Sequence, residues 1–355
     1  MAMTPDSDDA LDEARLPAYL RSIGIAAAGD QVAVEPAGDG NINWVRRARV
    51  AGGPSCVVKQ ARPALERFPQ YRASTERIVF ERRWLEIARP HDRSSVCPGV
   101  LHFDEARRVL VLEDLGDAER LDHALLRGVD VRGALADVAE LLGRVHAATR
   151  DPVLAARFRN DDMRRLHGEH VFALPFAAND FPLEPELRAR AERVWRDHEL
   201  PAIAARAYAR YREPRGALVH GDVQAGNVLL PGGAAKLLDA EIAHVGDPAF
   251  DVGTLLAHVL LAAVARGELR AAGGVAGATW QAYVGAAGPE PPAFADVVRY
   301  AAIEIMRRTI GAARVEAVRA TPCALAAVAL ASSLMRGPAA SPAELAAQLA
   351  GGLPP

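Results

Sequence analysis

One polar stretch constrains the fold of this chain more than any other, residues 218–253 with the sequence LVHGDVQAGNVLLPGGAAKLLDAEIAHVGDPAFDVG. Two apolar runs within it, at 228–230 and 236–240, predict short buried strands, and PGG at 231–233 predicts the turn between them. Its carboxylates and amides therefore lie at the ends of a hairpin rather than along a solvated helix face. Acidic groups held at strand ends beside a loop are a common setting for metal binding and general-base chemistry, and the stretch predicts a site of that kind.

The spacing of three side chains in this stretch narrows the chemistry. Asn227 follows Asp222 by five positions, and Asp239 follows it by seventeen. Phosphoryl transfer on a protein-kinase fold uses an Asp that accepts or orients the substrate hydroxyl, an Asn shortly after it that binds magnesium, and an Asp after a short hairpin that bridges the metal to the phosphates. Asp residues that only close turns are the alternative. The combined spacing favours a kinase-like site, with Asp222 as the catalytic residue and Asn227 and Asp239 on Mg²⁺.

Lysine is rare in this chain, because of 42 basic residues only Lys59 and Lys236 are lysines. Lys59 lies in the predicted strand SCVVKQA, where a compact ammonium suits phosphate oxygens better than a guanidinium does; chance placement is the alternative. About twenty residues earlier, a glycine-rich turn joins predicted strands at 31–36 and 45–50, which is the layout of a loop that covers nucleotide phosphates. Such a turn is also a common hairpin. The turn residues predicted to contact ATP together with Lys59 are Gly38, Asp39, Gly40 and Asn41.

A helix predicted at 74–88 supplies a carboxylate partner for Lys59. In a kinase-like site this pairing holds the lysine against the phosphates. Glu81 is the candidate for that role, and Glu76 and Glu86 stay open as alternatives.

A hinge is predicted where two further strands, at 99–103 and 108–113, lead into VLVLEDLG. We expect the hinge backbone to face the adenine, with Glu113 and Leu115 among the ATP-binding residues. The sequence before this point is β-rich, and nearly everything after it is helical. The prediction is an α+β, bilobal protein-kinase-like fold with a small β-rich N-lobe and a large helical C-lobe. The predicted domains are an ATP-covering lobe at 1–115 and a catalytic and acceptor-binding lobe at 116–355.

Seven helices are predicted beyond the hinge. One of them carries EIMRRTIG, which places Arg307 and Arg308 beside apolar neighbours; ordinary ion-paired helix residues are the alternative. Asp251 suits the N-terminal turn of another helix, so its predicted role is structural. The predicted helices cover 131–148, 182–210 with a break near Pro201, 250–265, 275–287, 293–318, 323–335 and 341–350.

Composition excludes several classes of partner. The net charge of −3 and the near-neutral isoelectric point give no electrostatic footprint for nucleic acid or an anionic membrane. The three cysteines, Cys56, Cys97 and Cys323, match no zinc or disulfide spacing, which fits a reducing compartment. The first residues are acidic and lack the apolar core of a signal peptide. The longest apolar runs, at 255–265 and 324–334, are too short to span a bilayer. We expect a cytoplasmic protein with no nucleic-acid or membrane partner.

Several motifs together resemble a known superfamily. HGDVQAGN and LLDAE resemble the small-molecule kinases of the aminoglycoside phosphotransferase and choline kinase superfamily. Within it, GDGNINWV, VVKQARP, the Asp-x-Glu of Asp239 and Glu241, and EIMRRTIG resemble the methylthioribose kinase family. The resemblance extends from about residue 36 to about residue 320.

This resemblance implies roles for the matching positions. Asp222 would be the catalytic base or orienter, and Glu241 would join Asp239 and Asn227 on Mg²⁺. Arg307 and Arg308 would contact the acceptor or the transferred phosphate, and the acceptor loop adds Gln224 to the substrate-binding set. Similar kinases form dimers, so the resemblance suggests a homodimer.

The implied reaction is ATP-dependent transfer of the γ-phosphate to a hydroxyl of a small molecule, with methylthioribose or a related sugar as acceptor and methionine salvage as context. Residues 224–227, however, follow the broader superfamily pattern, so an aminoglycoside or other antibiotic phosphotransferase is the alternative. Arg307 and Arg308 favour a neutral or anionic acceptor over a polycationic one. A nucleotide-binding pseudokinase is the alternative from another class; it would lack Asp222, Asn227 or Asp239, and all three are present.

Overall fold

The first part of the chain forms a five-stranded antiparallel sheet in the computed structural model, which describes residues 10–38, 43–64 and 72–352. The predicted nucleotide contacts Asp39, Gly40 and Asn41 lie outside the described residues. The spatial strand order is β1-β2-β3-β5-β4. The strands are β1 (Val32–Pro36), β2 (Trp44–Val50), β3 (Cys56–Gln60), β4 (Val100–Asp104) and β5 (Val109–Glu113). Strand β3 is central, so the backbone of Lys59 is fixed on both sides, opposite Val45 in β2 and Leu110 in β5.

Two helices cover the two faces of this sheet. Helix α1 (Leu16–Ser22) joins a small core with Trp44 and Val58, while α2 (Arg77–Ala88) packs against β5 and joins the main core. Helix α2 buries Ile78, Glu81 and Trp84, and this spacing puts the three on one helical face, toward the rest of the molecule. The face that is turned inward therefore carries the glutamate predicted to pair with Lys59.

The remaining chain is largely helical, and its centre is α9 (Ala249–Arg266). Helix α9 packs against α3 (Leu121–Arg127), α10 (Leu269–Ala286) and α11 (Phe294–Ile310) and is buried from Ala249 to Val264. Within the described residues it is the one helix long and apolar enough to cross a membrane, and 83% of that apolar window is buried inside the protein. The other helices are α4 (Arg132–Ala148), α5 (Pro152–Arg157), α6 (Asp161–Gly168), α7 (Pro185–Arg196), α8 (Leu200–Tyr211), α12 (Thr321–Arg336) and α13 (Pro342–Ala350).

Several predicted element boundaries need correction. The helix predicted at 275–287 begins at Leu269. The helix predicted at 293–318 ends at Ile310, because Gly311 leaves the helical conformation. The helix predicted at 182–210 begins at Pro185, and the break predicted near Pro201 is present at 197–199, where the Asp197 carboxylate accepts the N–H groups of Glu199 and Leu200. The strand predicted at 236–240 is only two residues long. It stops before Asp239, whose φ of 67° is incompatible with a strand.

Two small sheets hold the polar stretch in place. Strand β7 (Ala217–Val219) pairs with β10 (His244–Gly246) and so closes the two ends of the stretch on each other. Between them, β8 (Val228–Leu230) pairs with β9 (Lys236–Leu237) and with β6 (Glu119–Arg120). The predicted hairpin is present. Buried side chains of α2, β5 and the C-terminal helices share one core, and the division of the chain at 115 and 116 stays a prediction.

Acid should destabilise the fold partly through His244. Its ring is buried, and burial lowers its pKa from 6.5 to about 4. As the pH falls from about 6.5 toward 4, the unfolded chain takes up a proton that folded His244 does not, which removes roughly 3 kcal/mol of stability. We expect His244→Gln to flatten the fall in urea midpoint between neutral and acidic pH. Equal pH slopes in variant and wild type would contradict this.

Candidate active site

A buried carboxylate on α9 anchors the loop that carries Asp222. Asp251 Oδ2 accepts the N–H of His220 at 2.7 Å, and Oδ1 accepts the N–H of Gly221 at 2.9 Å. Its Oδ2 also lies 3.2 Å from His146 Nε2 on α4. Burial opposes ionisation of Asp251, but the hydrogen bond from His146 and the backbone N–H donors outweigh it and hold the pKa below its usual range. The loop is therefore fixed to two core helices, and Asp251 has the structural position predicted for it.

Gly221 lets the loop turn tightly over this anchor. Its φ is +86°, and a Cβ there would meet the carbonyl oxygen of Ile242 at 2.7 Å. Both the left-handed backbone and the close approach demand glycine. Asp222 follows this turn directly.

Three polar side chains meet in the turn that follows. Asp222 Oδ2 accepts from Gln224 Nε2 at 3.1 Å and from Asn227 Nδ2 at 3.0 Å. Asn227 Nδ2 also donates to the backbone oxygen of Asp222 at 3.0 Å, because the 3-10 turn Ala225–Asn227 folds the chain back on itself. The five-residue spacing thus brings the predicted catalytic, substrate and metal side chains together, with one carboxylate oxygen of Asp222 held in place.

Two arginines of the last turn of α11 face the other oxygen of Asp222. Arg307 Nη1 lies 3.9 Å and Arg308 Nη2 lies 3.8 Å from Asp222 Oδ1. Both also pair with Glu304, at 3.1 Å and 2.6 Å. Glu304 is fully buried. Its single carboxylate balances only one of the two guanidinium charges, so positive charge remains beside Asp222. Sequence reasoning missed Glu304, although its spacing of three and four residues from the arginines was a usable signal.

The second cluster is built around Lys59. Its Nζ lies 2.8 Å from both carboxylate oxygens of Glu81 and also hydrogen-bonds Asp239. Burial favours the neutral amine, but the carboxylates of Asp239 and Glu81 outweigh it and raise the pKa of Lys59. Of the glutamates left open, Glu76 instead pairs with Arg108 and Glu86 with Arg82. Glu81 is thus the α2 glutamate that holds Lys59.

Asp239 is the exposed member of this cluster. Its side chain is 44% exposed, against 1% for Glu81. Its left-handed backbone is rare for a non-glycine residue, and such strain is concentrated at functional sites. Asp239 therefore has a fixed position and a solvent-exposed carboxylate.

Glu241 belongs to a buried network that the sequence did not predict. Its Oε2 accepts from Asn43 Nδ2 at 2.9 Å and lies 3.5 Å from Arg77 Nε. Arg77 Nε donates to Asn43 Oδ1 at 2.8 Å. Burial raises the pKa of Glu241 despite this cation. The network joins α2, the start of β2 and the Asp239 segment.

The predicted metal ligands suit a hard divalent cation. Asn227, Asp239 and Glu241 offer oxygen atoms, and the side chain of Asp239 is 44% exposed. Among residues 10–38, 43–64 and 72–352, no group of three or more His, Cys, Asp or Glu side chains is arranged to hold a metal by itself. Mg²⁺ is usually held by one or two carboxylates together with substrate phosphates, so the donor set fits Mg²⁺ as a cation shared with a nucleotide.

The predicted hinge residues lie at the junction of the sheet and the β8–β9 hairpin. Glu113 Oε1 accepts from Gly99 N at 2.9 Å and from Lys236 Nζ at 2.7 Å. Leu115 is half-buried, and Gly38 is exposed with a φ of +66°. Lys236 therefore joins the hairpin to the end of β5. The nucleotide roles of Gly38, Glu113 and Leu115 stay predictions.

Comparison with known proteins identifies the relatives of this chain. Residues 33–286 match the model of the phosphotransferase enzyme family (APH). Methylthioribose kinase from Exiguobacterium sibiricum is 29% identical over 257 residues, which is 69% of this chain and 64% of that protein. Methylthioribose kinase from Bacillus cereus is 29% identical over 262 residues, which is 70% of this chain and 66% of that protein. The match thus spans slightly less than two thirds of these relatives.

Solved structures share the fold. A choline/ethanolamine kinase family protein from Mesorhizobium loti superposes with a TM-score of 0.54 at 19% identity, over 96% of this chain and 99% of that one. Choline kinase LicA from Streptococcus pneumoniae gives 0.53 at 14% identity, over 90% and 99%. An aminoglycoside phosphotransferase from Alicyclobacillus acidocaldarius gives 0.52 at 15%, over 93% and 95%. The predicted α+β, protein-kinase-like fold is confirmed.

Proposed function

Because the chain belongs to the phosphotransferase enzyme family, we propose that it transfers the γ-phosphate of ATP to a hydroxyl of a small molecule. The observation that carries the proposal is the position of Asp222. One of its oxygens is held by Gln224 and Asn227, while the other faces Arg307 and Arg308. This is the arrangement needed to accept a hydroxyl proton next to a group that gains negative charge.

The proposed reaction transfers one proton and one phosphoryl group. The acceptor hydroxyl gives its proton to Asp222 and forms a bond to the γ-phosphorus, while the bond from that phosphorus to the β–γ bridging oxygen breaks and ADP leaves. Arg307 and Arg308 stabilise the charge on the transferred group. Catalysis of this kind rests mainly on positioning and charge stabilisation.

The nucleotide contacts the Lys59 cluster in this proposal. Lys59, held by Glu81, contacts the phosphates, and the remaining nucleotide contacts come from Gly38, Asp39, Gly40, Asn41, Glu113 and Leu115. Asn227, Asp239 and Glu241 would hold Mg²⁺, which would neutralise charge on the phosphate oxygens. Glu241 would bind Mg²⁺ while it keeps its contacts with Asn43 and Arg77. Asp239 would contribute the solvent-exposed carboxylate.

Methylthioribose or a related sugar is the acceptor that we propose. The support is that the relatives are methylthioribose kinases, together with the two arginines, which favour a neutral or anionic acceptor. Methionine salvage is the corresponding context, and we expect a cytoplasmic homodimer with no nucleic-acid or membrane partner. An aminoglycoside would need acidic groups to bind its amines, so it fits a site that contains Arg307 and Arg308 less well.

An acceptor panel tests the proposal. The protein is incubated with ATP, Mg²⁺ and, separately, methylthioribose, choline, homoserine and kanamycin. We expect ADP release with methylthioribose above the acceptor-free rate, and phosphorus NMR of the product to show a new phosphate ester. ATP binding without acceptor-dependent ADP release from any compound would support the pseudokinase instead, and release with kanamycin alone would support the antibiotic phosphotransferase.

Removing the ammonium of Lys59 should impair ATP use. We expect Lys59→Met to raise the Michaelis constant for ATP and to lower kcat, together by about 100-fold in kcat/KM, because a charge-assisted contact to phosphate and the partner of Glu81 are both lost. Steady-state kinetics with varied ATP measures this. Lys236→Met removes the other lysine, which pairs with Glu113, and should have a much smaller effect. Equal losses in the two variants would contradict the assignment.

A further inference from the structure

Unpartnered polar atoms converge on one point beside Asp222. Asp222 Oδ1, His167 Nε2 and Arg308 Nη2 are each buried and have no hydrogen-bond partner among the described residues. His167 Nε2 lies 3.7 Å and Arg308 Nη2 lies 3.8 Å from Asp222 Oδ1, both longer than a hydrogen bond. Leaving such groups unpaired in a buried position is unfavourable. Their convergence indicates a partner that enters with a ligand.

His167 is held rigidly at this point. It lies in the last turn of α6, directly before the π-helical turn Glu169–Ala173, and only 6% of the residue is exposed. Its ring packs edge-to-face on Phe250 of α9, with the ring centroids 5.9 Å apart. Turns of π-helix are frequent at functional sites. The packing leaves the ring little freedom to move away from Asp222.

The hydrogen bond on the far side of the ring sets the tautomer of His167. Its Nδ1 lies 3.4 Å from the hydroxyl of Tyr211. Burial and then the charges of Arg307 and Arg308 lower the pKa of His167, so the ring is neutral, and burial raises the pKa of Tyr211, so the phenol keeps its proton. If Nδ1 carried the ring proton, the hydroxyl proton of the buried Tyr211 would have no acceptor. The lone pair of Nε2 would also face the carboxylate of Asp222. The proton therefore lies on Nε2, directed toward Asp222.

We propose that His167 binds the reacting hydroxyl of the acceptor and orients it for deprotonation by Asp222. The inference rests on the proposed function. The hydroxyl oxygen accepts from His167 Nε2–H and donates its own proton to Asp222 Oδ1, which leaves its second lone pair for the phosphorus. As the bond to phosphorus forms, that proton passes to Asp222 and the electron pair of the breaking bond leaves with ADP. His167 keeps its proton throughout, and Tyr211 is a positioning residue that fixes the tautomer.

A pair of matched variants tests the hydrogen bond. Methionine and glutamine have side chains of similar length, and only glutamine ends in an N–H donor. We expect His167→Met to lower kcat for the acceptor about 10- to 100-fold with unchanged ATP affinity, because the hydroxyl loses its orientation. His167→Gln should recover most of that loss. Thermal melting confirms that both variants fold. Wild-type kcat in His167→Met, or equal losses in the two variants, would overturn the proposal.

A measurement without turnover separates this inference from the proposed function. Nitrogen-15 NMR of the histidine rings, with the His167→Gln spectrum identifying the His167 signals, should show the Nε2–H tautomer in the wild type. Tyr211→Phe should introduce the Nδ1–H tautomer because the phenol donor is gone. A wild-type Nδ1–H tautomer would overturn the orientation argument. Failure of every acceptor in the panel would instead overturn the proposed function and leave the tautomer result standing.

Discussion

Asp222→Asn should lower acceptor phosphorylation by on the order of a thousandfold while ATP still binds. Asparagine has the same shape but accepts a proton poorly, so the hydroxyl keeps its hydrogen in the transition state. Its amide would also bring a donor close to Arg307 and Arg308, where Asp222 now supplies an anion. Initial rates of ADP release at saturating acceptor measure the loss, and calorimetric titration with ATP measures nucleotide binding.

Asp247 provides a matched control for this substitution. It lies in the same polar stretch, and its side chain is 7% exposed against 14% for Asp222, but its carboxylate accepts from Tyr300 at 3.1 Å and pairs with Arg210. Asp247→Asn removes a buried charge of the same kind away from the arginines of α11. We expect lower stability without the thousandfold loss of rate. Wild-type turnover in Asp222→Asn, or an equal rate loss in Asp247→Asn, would exclude Asp222 as the proton acceptor.

Asp251→Asn should be the most destabilising of the substitutions considered. Its carboxylate accepts two buried backbone N–H groups and contacts His146. An amide keeps one acceptor oxygen and points two hydrogens at groups that are themselves donors, so buried N–H groups lose their partners. We expect a loss of about 3–5 kcal/mol and a fall in melting temperature of roughly 5 °C. Urea unfolding and thermal melting measure these, and kcat should fall as the Asp222 loop loosens.

Asp296 separates two explanations for Asp251. It lies in the first turn of α11, as Asp251 does in α9, and it pairs with Arg210 and Arg299 near the surface. If a negative charge at a helix N-terminus were the whole contribution of Asp251, Asp296→Asn would match it. We expect Asp296→Asn to cost at most about 1 kcal/mol. A similar loss in both variants would show that the buried N–H groups contribute little.

Local spacing explains what could be predicted from the sequence. Asp222, Gln224 and Asn227 meet within a single turn, so the distance between them along the chain limits their distance in space. The β8–β9 hairpin likewise brings Asp239 back toward the same loop. The pairing of Lys59 with Glu81 follows from the order of strand and helix, although choosing among three glutamates required the side-chain packing of α2.

Long-range partners explain what could not be predicted. Asn43 and Glu241 are separated by 198 positions, and nothing in the sequence near either one indicates the other. His167 lies in a stretch without regular periodicity, and it is brought beside Asp222 by the packing of Tyr211 and Phe250. The end of α11 at Ile310 was missed because apolar periodicity continues past Gly311 in the sequence.

The pairing of both lysines has a practical consequence for chemical labelling. Lys59 is bound by Glu81 and Asp239, and Lys236 by Glu113, so both ammonium groups are engaged in the folded state and largely shielded from solvent. Amine-selective reagents attack an amine that is neutral and accessible to solvent. Ion pairing keeps both lysines protonated, and burial limits access to them. Acylation at these two positions, followed by peptide mass spectrometry, therefore reports the opening of two separate contacts. Adducts at Lys59 mark loss of the α2–β3 cluster, whereas adducts at Lys236 mark separation of the hairpin from the end of β5.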